Sequence, residues 1–181
     1  MRRAADADAV RAFVAELGRS ATGAATLYLV GGATAVMEGW RSTTLDVDMV
    51  LEPELDELLR QIPTLKERLH INVEFASPLD FLPELPGWRE RSPFVSQEGA
   101  LTVRHLDPYS QVLAKLERGI DHDLSDVAAM ISRGLVDPAT LLDLFSSIEP
   151  QLYRFPTVDG KVLREAVMAV MRNDDMKGVQ P

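Results

Sequence analysis

The chain has 181 residues, 46% of them hydrophobic, enough for one packed core or a small core with a helical appendage. Cysteine is absent and the three histidines are scattered (His70, His105, His122), which excludes disulfides and thiolate chemistry, makes a structural zinc site a poor fit, and leaves any metal to oxygen ligands. Nineteen basic against 28 acidic residues give a net charge of −9, which disfavours a large nucleic-acid footprint but leaves room for a local basic patch. No stretch approaches the roughly 18 apolar residues a membrane span needs, and the N-terminal residues lack the apolar run of a secretion signal, so a cytoplasmic protein without membrane contact is expected.

In chain order, Asp6 to Leu17 places Val10, Phe13, Val14 and Leu17 at helical spacing and stops at Gly18, read as a C-terminal cap. After the small residues 20–25, Thr26 to Val30 is a run of strand formers ending at Gly31-Gly32, and Ala33 to Glu38 favours a helical turn or two. Leu45 to Leu51 alternates as a half-buried strand, with Leu45, Val47 and Met49 on one side. Pro53 to Arg60 and Thr64 to His70 read as two short helices, because Pro63 lacks the N–H a continuous helix would use. Ile71 to Phe75 returns to strand alternation, Ser77 to Gly87 with three prolines reads as loop, and Ala100 to Leu106 is a further strand. Asp107-Pro108 and Asp137-Pro138 each pair an N-cap with a proline at the first helical position. The apolar sets Val112/Leu113/Leu116, Val127/Met130/Ile131 and Leu141/Leu142/Phe145/Ile148 then make a helical module, closed by a helix over Val162 to Met171 and a polar tail from Asn173 that is expected to fray. The expected fold is α+β: a small mixed sheet flanked by helices over residues 1–106, then a C-terminal helical module over 107–181.

The chemistry concentrates at Asp46 and Asp48, which share one strand face at about 7 Å spacing. Two carboxylates that close repel unless a cation lies between them, and oxygen ligands beside phosphate chemistry suit Mg²⁺, with Mn²⁺ as a substitute. A solvated edge strand would also carry an Asp-x-Asp. Gly31-Gly32, between strand and helix, lets backbone N–H groups approach an anion, although a tight turn alone also calls for glycine. Glu74, acidic between Val73 and Phe75, either joins the aspartates from a neighbouring strand or faces solvent. Neither a dinucleotide-binding glycine pattern nor a P-loop is present. Trp40 and Trp88 are candidates for base stacking or for closing a core edge, and His122 sits in an acidic turn.

Leu29-Val30-Gly31-Gly32, thirteen residues, Asp46-Val47-Asp48-Met49 and then Val73-Glu74-Phe75 resemble the signature of the polymerase-β-like nucleotidyltransferase superfamily over roughly the first hundred residues. The resemblance implies that Asp46 and Asp48 hold the catalytic metals and that Glu74 helps deprotonate the attacking hydroxyl. Arg41-Ser42-Thr43-Thr44 looks like the basic and hydroxylic stretch many members carry, which makes Gly31, Gly32, Arg41, Ser42 and Thr44 candidate nucleotide contacts. Lys115-Leu116-Glu117-Arg118 followed by Asp123-Leu124-Ser125-Asp126 is similar to the minimal bacterial AbiEii-type toxin group, implying triphosphate contact by Lys115 with support from Asp123 and Asp126. An exposed helix with ordinary charges would read the same way, and the basic run around the lysine is thin here, replaced by Ile120-Asp121-His122. The expected partners are a nucleoside triphosphate, an acceptor among RNA, protein and small molecules, and a cognate antitoxin if the chain is a toxin. A small-molecule nucleotidyltransferase similar to the aminoglycoside-modifying enzymes and a non-catalytic nucleotide- or partner-binding module are the alternatives.

Overall fold

Helix α1 (Ala7–Arg19) opens a computed structural model that describes residues 3–172; the tail expected to fray lies outside the described residues. Asp6 caps α1 by accepting from the Ala9 N–H at 2.8 Å, and the predicted stripe Val10, Phe13, Val14 and Leu17 is buried. Gly18 does not end the helix. A Cβ there would lie 2.3 Å from the Glu98 Cβ and 2.4 Å from its carbonyl oxygen, so this glycine permits close packing inside the last turn.

Five strands form one mixed sheet: β1 (Ala25–Val30), β2 (Asp46–Glu52), β3 (Asn72–Phe75), β4 (Phe94–Glu98) and β5 (Leu101–His105), in the order β3-β2-β1-β5-β4. The strand β1 is antiparallel to β2 and parallel to β5, β2 is parallel to β3, and β4 is antiparallel to β5. Leu27, Leu29, Val47, Met49, Leu51, Val73, Leu101 and Val103 alternate onto one face and form a core with Val10, Phe13 and Leu17. Leu45 departs from the expected pattern: the strand begins at Asp46, and Leu45 is 76% exposed. The short helix α2 (Gly32–Met37) links β1 to β2.

Helix α3 (Asp56–Leu69) is continuous where two short helices were expected. An internal proline costs a helix about 3 kcal/mol. Leu58, Ile62 and Leu65 are buried along one stripe, and each such side chain contributes roughly 1.5–3 kcal/mol, so packing outweighs the missing hydrogen bond. At the outer strand β3, the Lys66 Nζ of α3 donates to the Val73 carbonyl at 2.8 Å and occupies an edge acceptor that could otherwise pair with another strand. The strand β4 was not anticipated. None of its five residues is fully buried, so it carries no strong alternation.

The chain divides into two compact units, Met1–Ser77 with Ser92–Leu106, and Pro78–Arg91 with Asp107–Pro181. The first contains α1 to β3 and the β4–β5 pair. The second contains a 3₁₀ turn (Pro78–Asp80) and α4 (Trp88–Arg91), both within or beside a stretch read as loop, then α5 (Pro108–Arg118), α6 (Asp121–Ser132), α7 (Pro138–Ile148), a 3₁₀ segment (Glu149–Arg154) and α8 (Gly160–Arg172). Helix α5 packs against α6, α7, α8 and the Pro78–Asp80 turn. Its N-cap Asp107 is fully buried, accepting from the Tyr109 N–H and the Ser110 hydroxyl and meeting the Arg91 guanidinium through Nε at 3.1 Å and Nη2 at 2.8 Å. Among the described residues no helix is long and apolar enough to cross a membrane.

Candidate active site

Parallel pairing of β2 with β3 sets Asp46 opposite Asn72 and Asp48 opposite Glu74. Side chains opposite one another in a sheet leave by the same face, so these four residues form a rectangle about 7 Å along the strands and about 5 Å across them. The opposite face carries the core residues Val47, Met49 and Val73. Asp46 and Asp48 are half-buried and Glu74 is exposed. Thus the strand β3 brings the third acidic residue to the face of the first two.

The register also accounts for the glycine turn. Val30, the last residue of β1, pairs with Asp48, so the chain turns through Gly31 beside the aspartates. Gly31 has φ 57°, and a Cβ there would stand 3.4 Å from Asp48 Oδ2. A Cβ at Gly32 would lie 2.1 Å from Thr44 Oγ1 and 2.9 Å from Thr44 Cβ. That hydroxyl donates to the Asp46 carbonyl at 2.9 Å, while the Thr44 backbone exchanges hydrogen bonds with Ala5. Thr44 therefore fastens the start of β2 against the glycine turn. The first bond of α2 runs from the Ala35 N–H to the Gly31 carbonyl, so the N–H groups of residues 32–34 precede its ladder. Arg41 is half-buried and Ser42 exposed in the connection between α2 and β2.

Two further features, Asn72 on this face and His105 on the core face, were not singled out from sequence. The Asn72 Nδ2 donates to Asp46 Oδ1 and to Glu74 Oε1, both at 2.7 Å. His105, at the end of β5, anchors α2: its Nε2 lies 3.0 Å from Glu38 Oε1 and its Nδ1 3.2 Å from Thr34 Oγ1, a hydroxyl also 3.0 Å from the Leu29 carbonyl oxygen. Burial pulls the His105 pKa below 6.5, and the Glu38 carboxylate opposes that pull without reversing it. A neutral ring thus holds both ends of the helix that follows the glycine turn. The two-residue spacing of Asn72 and Glu74 was the available signal for the first feature. His105 offered none beyond its residue type.

Lys115, Asp123 and Asp126 form a separate buried group within the second unit. The Lys115 ammonium meets Asp123 Oδ1 at 3.0 Å and Asp126 Oδ2 at 2.6 Å, and Arg118 reaches the same Asp123 oxygen at 2.8 Å. All three are at most 4% exposed. Burial would raise the Asp123 pKa, but hydrogen bonds and charge from Lys115 and Arg118 hold it below 3.8. Its Oδ2 has no hydrogen-bond partner among the described residues. His122 is exposed beside Asp123, and Trp88 is buried at 2% exposure beneath the Arg89 guanidinium, which makes it a core residue and not a stacking surface.

Among the described residues no three acidic or histidine side chains converge tightly enough to hold a metal by themselves. Mg²⁺ does not require such a cage: it is held by one or two carboxylates with waters and substrate phosphates. Asp46 and Asp48, the oxygen-bearing pair on the open sheet face, fit that pattern. Comparison with curated proteins and with solved structures finds no match. A family model described as a nucleotidyltransferase of unknown function matches residues 8–156, which span the carboxylate face, the glycine turn and most of the helical unit, and the chain belongs to that family.

Proposed function

We propose that the chain is a Mg²⁺-dependent enzyme that moves a nucleoside monophosphate from a triphosphate to a hydroxyl or phosphate-end acceptor on RNA or protein, in the manner of the AbiEii-type toxins. The observation that carries this reading is the β2–β3 register, which sets Asp46, Asp48 and Glu74 on one face beside the Gly31 turn. Asp46 and Asp48 would hold the cation, with Mn²⁺ as a substitute. When bound, it supplies positive charge to the phosphates and to the attacking oxygen. Glu74 takes the proton from the acceptor, whose oxygen attacks the α-phosphorus as pyrophosphate leaves. The backbone at Gly31 and Gly32 offers its N–H groups to the phosphates, with the Thr44 side chain packed against Gly32, and Arg41, Ser42 and Thr44 belong to the connection on the way into β2. The roles of Lys115, Asp123 and Asp126 in triphosphate binding are carried by sequence resemblance. Geometry supports a narrower role for them, as an internal ionic brace of the second unit.

The acidic balance of −9 supports a second reading, in which the acceptor is a cationic small molecule drawn to a negative cleft. Incubating the protein and Mg²⁺ with each α-labelled triphosphate, in parallel with total RNA, a protein extract and an aminoglycoside panel, separates the two. Label on RNA or protein, lost in Asp46→Ala and Asp48→Ala, is the expected result. Label on the aminoglycosides selects the second reading. Transfer retained by a clean double variant refutes both, and triphosphate binding without turnover on any acceptor points to a nucleotide-binding module instead. If the protein is a toxin, co-expression with the product of a neighbouring gene relieves growth arrest caused by the wild type and has nothing to relieve in the Asp46→Ala variant.

A further inference from the structure

We propose that Asn72 is a positioning residue that binds two of the site carboxylates to each other. The inference rests on the reading of Asp46 as a metal ligand and Glu74 as the proton acceptor. Asn72 is half-buried on β3, opposite Asp46 and two residues before Glu74 on the same face. Its Nδ2 lies 2.7 Å from Asp46 Oδ1 and 2.7 Å from Glu74 Oε1. Two carboxylate oxygens around one amide atom fix the assignment of that atom as nitrogen, since the carbonyl oxygen in its place would face two acceptors. The NH₂ group carries two hydrogens, so both bonds form at once.

Three consequences follow. The two carboxylate oxygens lie no further apart than these two bond lengths allow, although both groups are acidic and Glu74 is on an exposed edge strand where its side chain would otherwise sample many rotamers. The donor adds no formal charge, so it draws the carboxylates together without competing with a cation as a lysine or arginine would. Each carboxylate also keeps its second oxygen: Asp46 Oδ2 and Glu74 Oε2 accept no side-chain hydrogen bond among the described residues. One oxygen of each group is thus committed to the bridge and the other remains available for a cation or a hydroxyl proton. Hydrogen-bond partners of ligating groups commonly change metal affinity or activity by about 10–100-fold when removed.

The test compares wild type, Asn72→Ala and the isosteric Asn72→Asp, which replaces the bridging donor with an acceptor. Mn²⁺ binding to the nucleotide-free protein is followed by electron paramagnetic resonance, transfer is measured against Mg²⁺ concentration, and thermal melting checks the fold. In Asn72→Ala, the Mn²⁺ dissociation constant and the half-saturating Mg²⁺ concentration should both rise about tenfold with melting unchanged. In Asn72→Asp, transfer should fall at least as far as in the alanine variant while Mn²⁺ affinity stays at or above that of the alanine variant. A purely structural role predicts near-normal transfer in the isosteric variant. Wild-type Mn²⁺ affinity and Mg²⁺ dependence in Asn72→Ala, or wild-type transfer in Asn72→Asp, overturns the inference alone. Absence of both Mn²⁺ binding and transfer in the wild-type protein overturns the functional reading, and the inference with it.

Discussion

Replacing Gly32 with alanine tests the packing that joins the glycine turn to the start of β2. The added Cβ would meet Thr44 Oγ1 at 2.1 Å and Thr44 Cβ at 2.9 Å. Rotation about the Thr44 side chain can remove the first clash, at the loss of the 2.9 Å bond from that hydroxyl to the Asp46 carbonyl. It cannot remove the second, because Cβ does not move when χ1 turns. The backbone of the turn or of Thr44 must shift, and overpacking of this kind costs about 1–3 kcal/mol. For a chain of this length that corresponds to about 2–12 °C in melting temperature. Thr44→Gly removes both obstructing atoms, so the double variant should be less destabilised than the sum of the single ones by about 0.5–3 kcal/mol. Thermal unfolding of the four proteins gives the cycle, and label transfer gives its functional counterpart, with Gly32→Ala losing activity that Thr44→Gly partly restores. A Gly32→Ala protein that melts with the wild type, or strict additivity in the cycle, would refute the close-approach argument.

Asp46→Asn and Asp48→Asn should each lower Mg²⁺-dependent transfer by about two orders of magnitude or more, the scale on which loss of one transition-state charge stabiliser acts. Melting should stay close to that of the wild type, since the amide keeps the size and one acceptor oxygen of the carboxylate; a large fall in melting temperature would assign the aspartates to folding instead. Lys115→Met removes the buried ammonium that Asp123 and Asp126 share while Arg118 stays on Asp123, and breaking such a buried pair costs about 3–5 kcal/mol, to be read by denaturant unfolding at neutral pH. Because the Asp123 pKa is held below 3.8, its ionic contribution is present above that value and lost as pH falls through the folded value; wild type and the methionine variant should therefore converge in strong acid. For His105 the folded pKa lies below 6.5, so the neutral ring contributes stability that is present above about pH 6.5 and fades as pH falls towards the folded value. His105→Gln should flatten the stability profile in that acid range, and a wild-type profile in the variant would remove His105 from the account.

Local chemistry made much of the site readable. The order of strand, glycine pair, short helix and Asp-x-Asp strand depends on neighbours in sequence, and so does the shared face of Asp46 and Asp48, because side chains repeat every second residue. The position of Glu74 beside Asp48 is a pairing across 26 residues, and periodicity alone left solvent exposure equally open; only the family resemblance favoured the shared face. Asn72 reads from sequence only as part of the strand Ile71 to Phe75, because its part as a donor between carboxylates depends on a pairing with Asp46 across 26 residues. Pro63 misled because a local rule was overridden by the buried stripe of α3, and β4 was missed because a lightly buried strand leaves little alternation to detect. The lysine and two aspartates of the helical unit were visible as motif residues, while their near-complete burial depended on the packing of α5 against α6.

The acidic charge of the chain bears on the proposed chemistry through where its carboxylates stand. A triphosphate approaching Asp46 and Asp48 without a cation meets charges of its own sign; at about 8 Å and an effective dielectric of about 40, each pair of unit charges repels by about 1 kcal/mol. On the proposed function, such a face would exclude free nucleotide more strongly than a nucleotide already neutralised by metal, so acidic charge at this position would select the metal complex. The same charges would, on that function, draw a cation to the face of β2 that Asp46 and Asp48 share. Asn72 then has a specific part in that balance: an additional lysine would cancel the selectivity by attracting free phosphate, and an additional carboxylate would deepen the repulsion between Asp46 and Glu74. A neutral double donor holds the two acids together while leaving unchanged the net charge that would discriminate between free and metal-bound nucleotide.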